Sequence, residues 1–214
     1  TLPDDFDHFQ PIMEQAIDRL PLLETTGIQM FFNGPESFTP DDRYLLGEAP
    51  EVKNFYVAAG FNSIGIQSAG GAGMALAQWM DAGRPQMDIW DVDIRRIMPF
   101  QANRHYLSAR VTETLGLLYA DHYPYRQFAS ARNIRRTPLH HKLAEHHACF
   151  GEVAGWERAN WFLPADEANR GKTPEYNYQW GRQNWFDYAG AEHQAIRETA
   201  GLFDLSTFGK IRVL

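Results

Sequence analysis

The 214 residues are 44% hydrophobic and 22% charged, with a formal net charge of −7, enough apolar content to bury the core of one or two compact domains. The acidic balance argues against nucleic-acid binding by the chain as a whole. No run approaches the roughly 20 apolar residues of a membrane helix, and TLPDDFDHFQ is not signal-like, so the expectation is a soluble cytoplasmic protein with no membrane partner, the mitochondrial matrix being the alternative compartment.

The single cysteine, Cys149, excludes an internal disulfide framework and reads as a small buried apolar residue. In FQPIMEQAIDRLPLLETTGI, the apolar residues Ile12, Met13, Ala16, Ile17 and Leu20 have helical spacing and stop at Pro21, predicting a helix of about three turns. A strand over 28–32 follows, then a loop rich in Gly, Pro, Asn and Asp. NFYVAA, from Asn54 to Ala59, reads as a second strand, and about Gly65 to Asp81 as a helix rich in small residues, with Gly65, Ala69, Ala72, Gly73 and Leu76 on one face. DAGRPQMDIWDVD breaks the pattern and is the best linker, with a boundary between about 82 and 95.

Further along, NRHYLSARVTETLGLLYADHYP predicts a helix capped by Asn103, with Tyr106, Leu107, Val111, Leu115 and Leu118 along one broad face. TPLHHKLAEHHACFGE suggests a shorter helix opened by Pro138, VAGWERANWFLP a strand and turn, and ADEANRGKTPEYN a surface loop. The end reads as a helix from about Asp187 to Thr199 and two short strands, the last being KIRVL. Trp156, Trp161, Trp180 and Trp185 indicate an aromatic core or an aromatic-lined cavity in this last third, core being preferred.

Three constellations invite chemistry. Gly71-Ala72-Gly73 lies about twelve residues beyond its strand and lacks the third small position of G-x-G-x-x-G, so the register is wrong for a pyrophosphate loop. The turn Gly60, Phe61, Asn62, Ser63, Ile64, Gly65 instead leads into a helix start. There the amides near Gly65 and Ile66 suit a group that gathers negative charge, or simply permit tight packing. ARNIRRTPLHHKLAEHH reads as a solvated basic face, the alternative being attraction for the acidic tail of a folate or for an acidic partner domain. His140 and His147 share a helical face, but Leu143 and Ala144 between them cannot ligate, so no metal site is expected. In DHYPYRQFASAR, a satisfied helix end is preferred to an acid–base role.

FFNGPESFTPDDRYLLG (31–47) and GFNSIGIQSAGGAGMALAQWM (60–80) resemble the carboxy-terminal part of the FAD domain in amine-oxidising flavoproteins of the D-amino-acid-oxidase-like superfamily, in particular the dimethylglycine and sarcosine dehydrogenase group. DIWDVDIRRI, FGEVAGWERANWF and GLFDLSTFGKIRV continue the resemblance through almost the whole chain. It implies an α+β fragment: the end of the FAD domain over 1–90, a small mixed α/β middle domain over 91–175, and the first elements of an aminomethyltransferase-like, tetrahydrofolate-binding domain over 176–214.

The resemblance also implies oxidative demethylation of a small N-methylated amine, dimethylglycine or sarcosine, in the parent protein, with FAD and tetrahydrofolate as cofactors and the remaining FAD and folate domains as partners. The 214 residues alone, lacking G-x-G-x-x-G, would be inactive; the alternative is a non-catalytic module docking flavin and folate subunits. In this reading Gly60, Phe61, Asn62, Ser63, Ile64, Gly65 and Ile66 meet the flavin. Gly34, Glu36 and Gln67 fall on the substrate side. Gln67 matches a position that is lysine in related sarcosine oxidases and here is a neutral donor. Gly34 falls where some relatives attach flavin through cysteine, a linkage that glycine excludes. No catalytic acid or base is assigned.

Overall fold

A computed structural model describes residues 2–213. The chain divides into two compact units, Thr1–Arg96 and Ile97–Leu214.

In the first unit, helix α1 (Phe6–Arg19) is longer than expected because Asp5 caps it, its Oδ1 accepting from the His8 amide at 3.0 Å. The chain leaves the helix at Leu20, before Pro21 opens a short 3-10 turn. The strand expected over 28–32 does not form. Its neighbour Asn33 makes one bridge to Leu2, and Met30 and Phe32 stay exposed, since a strand needs a ladder partner and none runs alongside among the described residues. Phe31 instead stacks on Phe6, with ring centroids 4.3 Å apart.

Strands β1 (Leu45–Glu48) and β2 (Tyr56–Ala59) pair antiparallel, Leu45 opposite Ala59 and Glu48 opposite Tyr56. β1 lay in the segment read as loop, and β2 begins two residues later than expected. Helix α2 (Gly65–Ala82) ends at Gly83 in the left-handed conformation. Its buried line is Ala72, Ala75 and Trp79, which packs with Leu46, Tyr44, Phe61, Ile89 and Val92. The expected small-residue face is therefore only partly the packed one: Ala69 and Gly73 are exposed, and a Cβ at Gly70, Gly71 or Gly73 would meet nothing within 4 Å. Gly47 is the glycine that packing requires, since a Cβ there would collide with the Trp79 ring and its φ is +123°.

The segment expected to be a linker is tied to β1. The Leu46 amide donates to the Val92 carbonyl at 2.8 Å, Asp93 is buried under Arg95, and Arg96 grips the Asp41 carboxylate at 2.7 and 3.0 Å.

In the second unit, helix α3 (Arg104–Tyr119) starts at Asn103, whose Oδ1 accepts from the His105 and Tyr106 amides at 2.9 and 3.3 Å. Of the expected face Tyr106 is buried, Leu107, Val111 and Leu118 are half-buried and Leu115 is exposed, and the buried line runs on from Tyr106 through Arg110 and Thr114. Arg110 lies over the Phe128 ring at 4.2 Å. Its guanidinium donates to Glu152 Oε2 at 2.6 Å and to the Ser130 carbonyl at 2.8 Å. A buried arginine recruits partners more strongly than the valine one position on, Val111, so the polar residue sets the rotation of the helix.

Helix α4 (His140–Glu145) is a short turn. Ala148 to Glu152, read as its continuation, falls in strand β3 (Ala148–Val153), paired antiparallel with β4 (Trp156–Phe162) across Ala154 and Gly155, both at positive φ. His147, at φ +58°, breaks the helix before β3. Cys149, Trp161 and Leu163 form the core cluster here, and burial pushes the Cys149 thiol up to about 11, as suits a packing residue. Helix α5 (Phe186–Glu198) follows. The two strands expected after it do not form among residues 202–213, where Leu202, Ile211 and Val213 are exposed without a strand partner; Leu214 lies outside the described residues.

Glu157, almost wholly buried on β4, accepts from Arg132 Nε and Nη2 at 2.9 and 2.5 Å and from the Asn133 amide at 2.6 Å. Burial by itself would raise its carboxyl, but the Arg132 and Asn133 hydrogen bonds and the Arg132 charge outweigh that and hold it below the ordinary carboxylate value. Its stabilisation is complete above the unfolded value near 4.5 and is lost as pH falls through the depressed folded value. Urea midpoints measured from neutral pH downward should therefore fall less steeply in Glu157→Gln than in the parent chain; identical acid slopes would refute this. Arg110→Met should leave Glu152 buried without its cation and cost about 3–5 kcal/mol in equilibrium unfolding.

Candidate functional site

The turn before α2 is built from backbone conformations that few residues adopt. Gly60, Asn62 and Ser63 have φ of +65°, +49° and +65°, and two successive left-handed non-glycine residues persist only when their surroundings hold them. Asn62, 2% exposed, supplies that hold. Its Oδ1 accepts from the Thr39 amide at 2.8 Å, its Nδ2 donates to Thr39 Oγ1 at 3.1 Å, and its own amide donates to the Ser37 carbonyl at 3.2 Å. A Cβ on Gly60 would press against Thr39 Cγ2 at 2.6 Å, so the same contact demands glycine. Phe61 stacks on Tyr44 with centroids 4.7 Å apart and anchors the turn to the core beneath.

These bonds bring together two segments that the sequence set apart by more than twenty residues. The loop bearing Gly34 and Glu36 runs into Ser37–Thr39 and is stitched there to the turn Gly60–Ile66. Thr39 was not among the residues singled out; the signal for it was an asparagine in the turn GFNS, a type that tolerates left-handed backbone and bonds locally.

Ile64 is the N-cap of α2 and offers no side-chain cap. The Ser68 amide is bonded to the Ile64 carbonyl at 3.0 Å, while the amides of Gly65, Ile66 and Gln67 have no acceptor among the described residues. They are the open donors at the positive end of an 18-residue helix. The Ile66 side chain is fully exposed, and Gln67, Glu36 and Gly34 are exposed as well. Neither Glu36 nor Gln67 makes a hydrogen bond or ion pair among the described residues, so the structure gives them no fixed direction. Space around Gly34 is open. A cavity of about 360 Å³ adjoins this loop at Asn33, between Asp5, His8, Phe9 and Phe31.

The basic stretch is the expected solvated face only in part: Arg136, His141, Lys142, His146 and His147 are exposed, while three of its residues turn inward. Arg132 is turned inward onto Glu157, and Arg135 lies over the Trp156 ring at 4.1 Å. The His140 ring stacks on Phe150 at 4.3 Å with its Nε2 buried, and burial together with the Arg136 charge holds this histidine below its ordinary value. Because α4 ends at Glu145, His140 and His147 do not share a helical face. No group of three or more His, Cys, Asp or Glu is placed to hold a metal among the described residues. After α3, His122 Nδ1 lies 3.0 Å from the Tyr123 carbonyl.

Asn62→Ala removes the bonds to Thr39 and puts a less tolerant residue in a left-handed position. A loss of about 2–4 kcal/mol is expected in urea unfolding followed by tryptophan fluorescence; a change within error would show that the turn holds itself.

Comparison with known proteins gives matches along the whole chain. Residues 1–79 match the family model described as FAD dependent oxidoreductase, 82–137 the FAD dependent oxidoreductase central domain, and 139–214 the GCVT N-terminal domain. The 4-methylaminobutanoate oxidase (formaldehyde-forming) of Paenarthrobacter nicotinovorans is 50% identical over 209 residues, covering 98% of this chain and 25% of that protein. The mitochondrial sarcosine dehydrogenase of Mus musculus is 36% identical over 230 residues (98% and 25%), and the mitochondrial pyruvate dehydrogenase phosphatase regulatory subunit of the same species 35% over 213 (100% and 24%). The chain spans about a quarter of the length of these relatives. From one end to the other the chain thus resembles, in order, an FAD dependent oxidoreductase domain, the central domain of such an oxidoreductase and a GCVT N-terminal domain.

Proposed function

We propose that the chain is part of an FAD-dependent enzyme that oxidatively demethylates a small N-methylated amine of the N-methylglycine type, dimethylglycine or sarcosine, with the one-carbon unit passed to tetrahydrofolate or released as formaldehyde. The observation that carries this reading is the half-identity, over nearly the whole chain, with a protein named for oxidising an N-methylated amino acid and forming formaldehyde. A cytoplasmic or mitochondrial-matrix setting suits it, two of the three relatives being described as mitochondrial, and no helix is long and apolar enough to cross a membrane among the described residues.

The residues present fit the ring end of a flavin site. The open Gly65 and Ile66 amides would donate to the side of the ring that gathers negative charge on reduction, Asn62 would keep the turn Gly60–Ile66 in register, and the loop with Gly34 and Glu36 would stand beside it with Gln67 as a neutral donor toward substrate. When bound, FAD supplies the acceptor for the hydride of the N-methyl carbon. The chain's contribution is to position and to stabilise charge, and none of its side chains is assigned as a base. The nucleotide end is expected in residues outside this chain, so the 214 residues by themselves should retain no stoichiometric flavin after purification.

A second reading, a non-catalytic docking module, is favoured by the relative named as a phosphatase regulatory subunit. The two part in the longest form of the protein that its gene encodes. Anaerobic sarcosine, dimethylglycine or 4-methylaminobutanoate should bleach its flavin absorbance, with formaldehyde recovered on turnover; a flavin-loaded protein that none of them bleaches would overturn the enzyme reading. In the same protein, Gly65→Pro deletes one open donor. It should slow flavin reduction by about tenfold or more with helix content unchanged by circular dichroism.

A further inference from the structure

The second unit holds a groove of about 600 Å³ that neither the flavin turn nor the fold requires. Six of its eleven lining residues are aromatic and none is charged. Its walls are β4, the segment carrying Tyr176 and Tyr178, the turn at Tyr123, and the start of α5 at Trp185. The rings are ordered against one another. Tyr176 and Tyr178 are parallel within 6° at 5.5 Å, Tyr178 and Tyr123 within 11° at 6.4 Å, and Trp161 meets Tyr176 edge-on at 6.4 Å. This arrangement offers ring faces rather than a scatter of apolar tips.

The walls are held before anything binds. Tyr178 Oη accepts from the Gln127 amide at 2.8 Å, Tyr176 Oη accepts from Asn160 Nδ2 at 2.7 Å, and Trp161 is 2% exposed in the core behind. Pre-ordered walls lower the cost of binding. Each of these hydrogen bonds uses the phenol as acceptor. The two O–H protons have no acceptor among the described residues, and Asn160 Oδ1 and Gln183 Oε1 have no donor there. Burial raises the Tyr176 phenol above its ordinary value. The groove therefore combines stacking faces with neutral donors and acceptors, and it offers no counter-ion to a carboxylate, a phosphate or an ammonium.

We propose that this groove binds an uncharged, planar nitrogen heteroaromatic of one or two fused rings, stacked among Tyr123, Tyr176 and Tyr178 and hydrogen-bonded at its edge to the phenols and to Asn160. A flat ring uses the faces, and ring nitrogens with exocyclic amino or oxo groups use the open donors and acceptors. A saturated ring of equal size would forfeit the stacking.

The test uses the 214-residue chain, with saturation-transfer NMR and calorimetry. Adenosine and nicotinamide serve as planar probes, and cyclohexanecarboxamide and tetramethylammonium as controls. Saturable binding of both planar probes is expected, each about tenfold tighter than cyclohexanecarboxamide. Tyr123→Leu, at the half-buried rim, should weaken adenosine about tenfold, and Tyr176→Phe about threefold, with the thermal melt of each variant confirming that it is folded. Absence of saturable binding by both planar probes would overturn the proposal. So would tetramethylammonium binding as tightly as they do, or affinities that neither variant changes.

Discussion

The candidate site in the first unit depends on one buried amide side chain. Asn62 is shut away from water, so its carbonyl and amino group must both be satisfied inside the protein, and Thr39 satisfies them. That requirement fixes the backbone on both sides. It holds Asn62 and Ser63 at positive φ, brings the Ser37 carbonyl onto the Asn62 amide, and leaves room at Gly60 for no side chain. The helix start at Gly65 then emerges with its first amides uncapped. Were Asn62 solvated, the loop before β1 and the turn before α2 would have no reason to keep a common register.

The second unit is organised by buried charge in a comparable way. Arg110 and Arg132 reach carboxylates on the β3–β4 hairpin, Glu152 and Glu157, and carbonyls of the chain between them. Such pairs gain little over well-packed apolar residues but are costly to break, so they specify one arrangement more than they add stability. Their effect on α3 is direct, since the helix turns Arg110 and Thr114 inward and leaves Leu115 exposed. The aromatic groove lies in the same unit, and its rings are fixed by hydrogen bonds to their phenols instead of by charge.

Much of the local structure was legible from residue types. The Asn103 cap, the extent of α2 to its glycine stop and the placement of α5 follow from capping chemistry and periodicity, which act within a few residues. Strands were read less well, because a strand exists only if another segment lies beside it. Ile28–Phe32 has the composition and no partner among the described residues, Leu45–Glu48 has a glycine in it and does pair, and Ala148–Cys149 were read as helix although His147, at positive φ, turns the chain just before them. The basic run looked solvated because its charges are close in sequence, whereas Arg132 and His140 are neutralised or stacked by residues ten to twenty-five positions away.

The sequence by itself determined the family resemblance, the wrong register of Gly71 and Gly73 for a pyrophosphate loop, and the helix that begins at Gly65, since each rests on residue identity and short spacing. Only the tertiary structure decided that Gly34 and Glu36 stand on the same loop that Asn62 binds, that α3 buries an arginine, and that tyrosines more than fifty residues apart share one groove. Those outcomes turn on which distant polar groups can satisfy one another once water is excluded, a pairing problem that has no signature in local pattern.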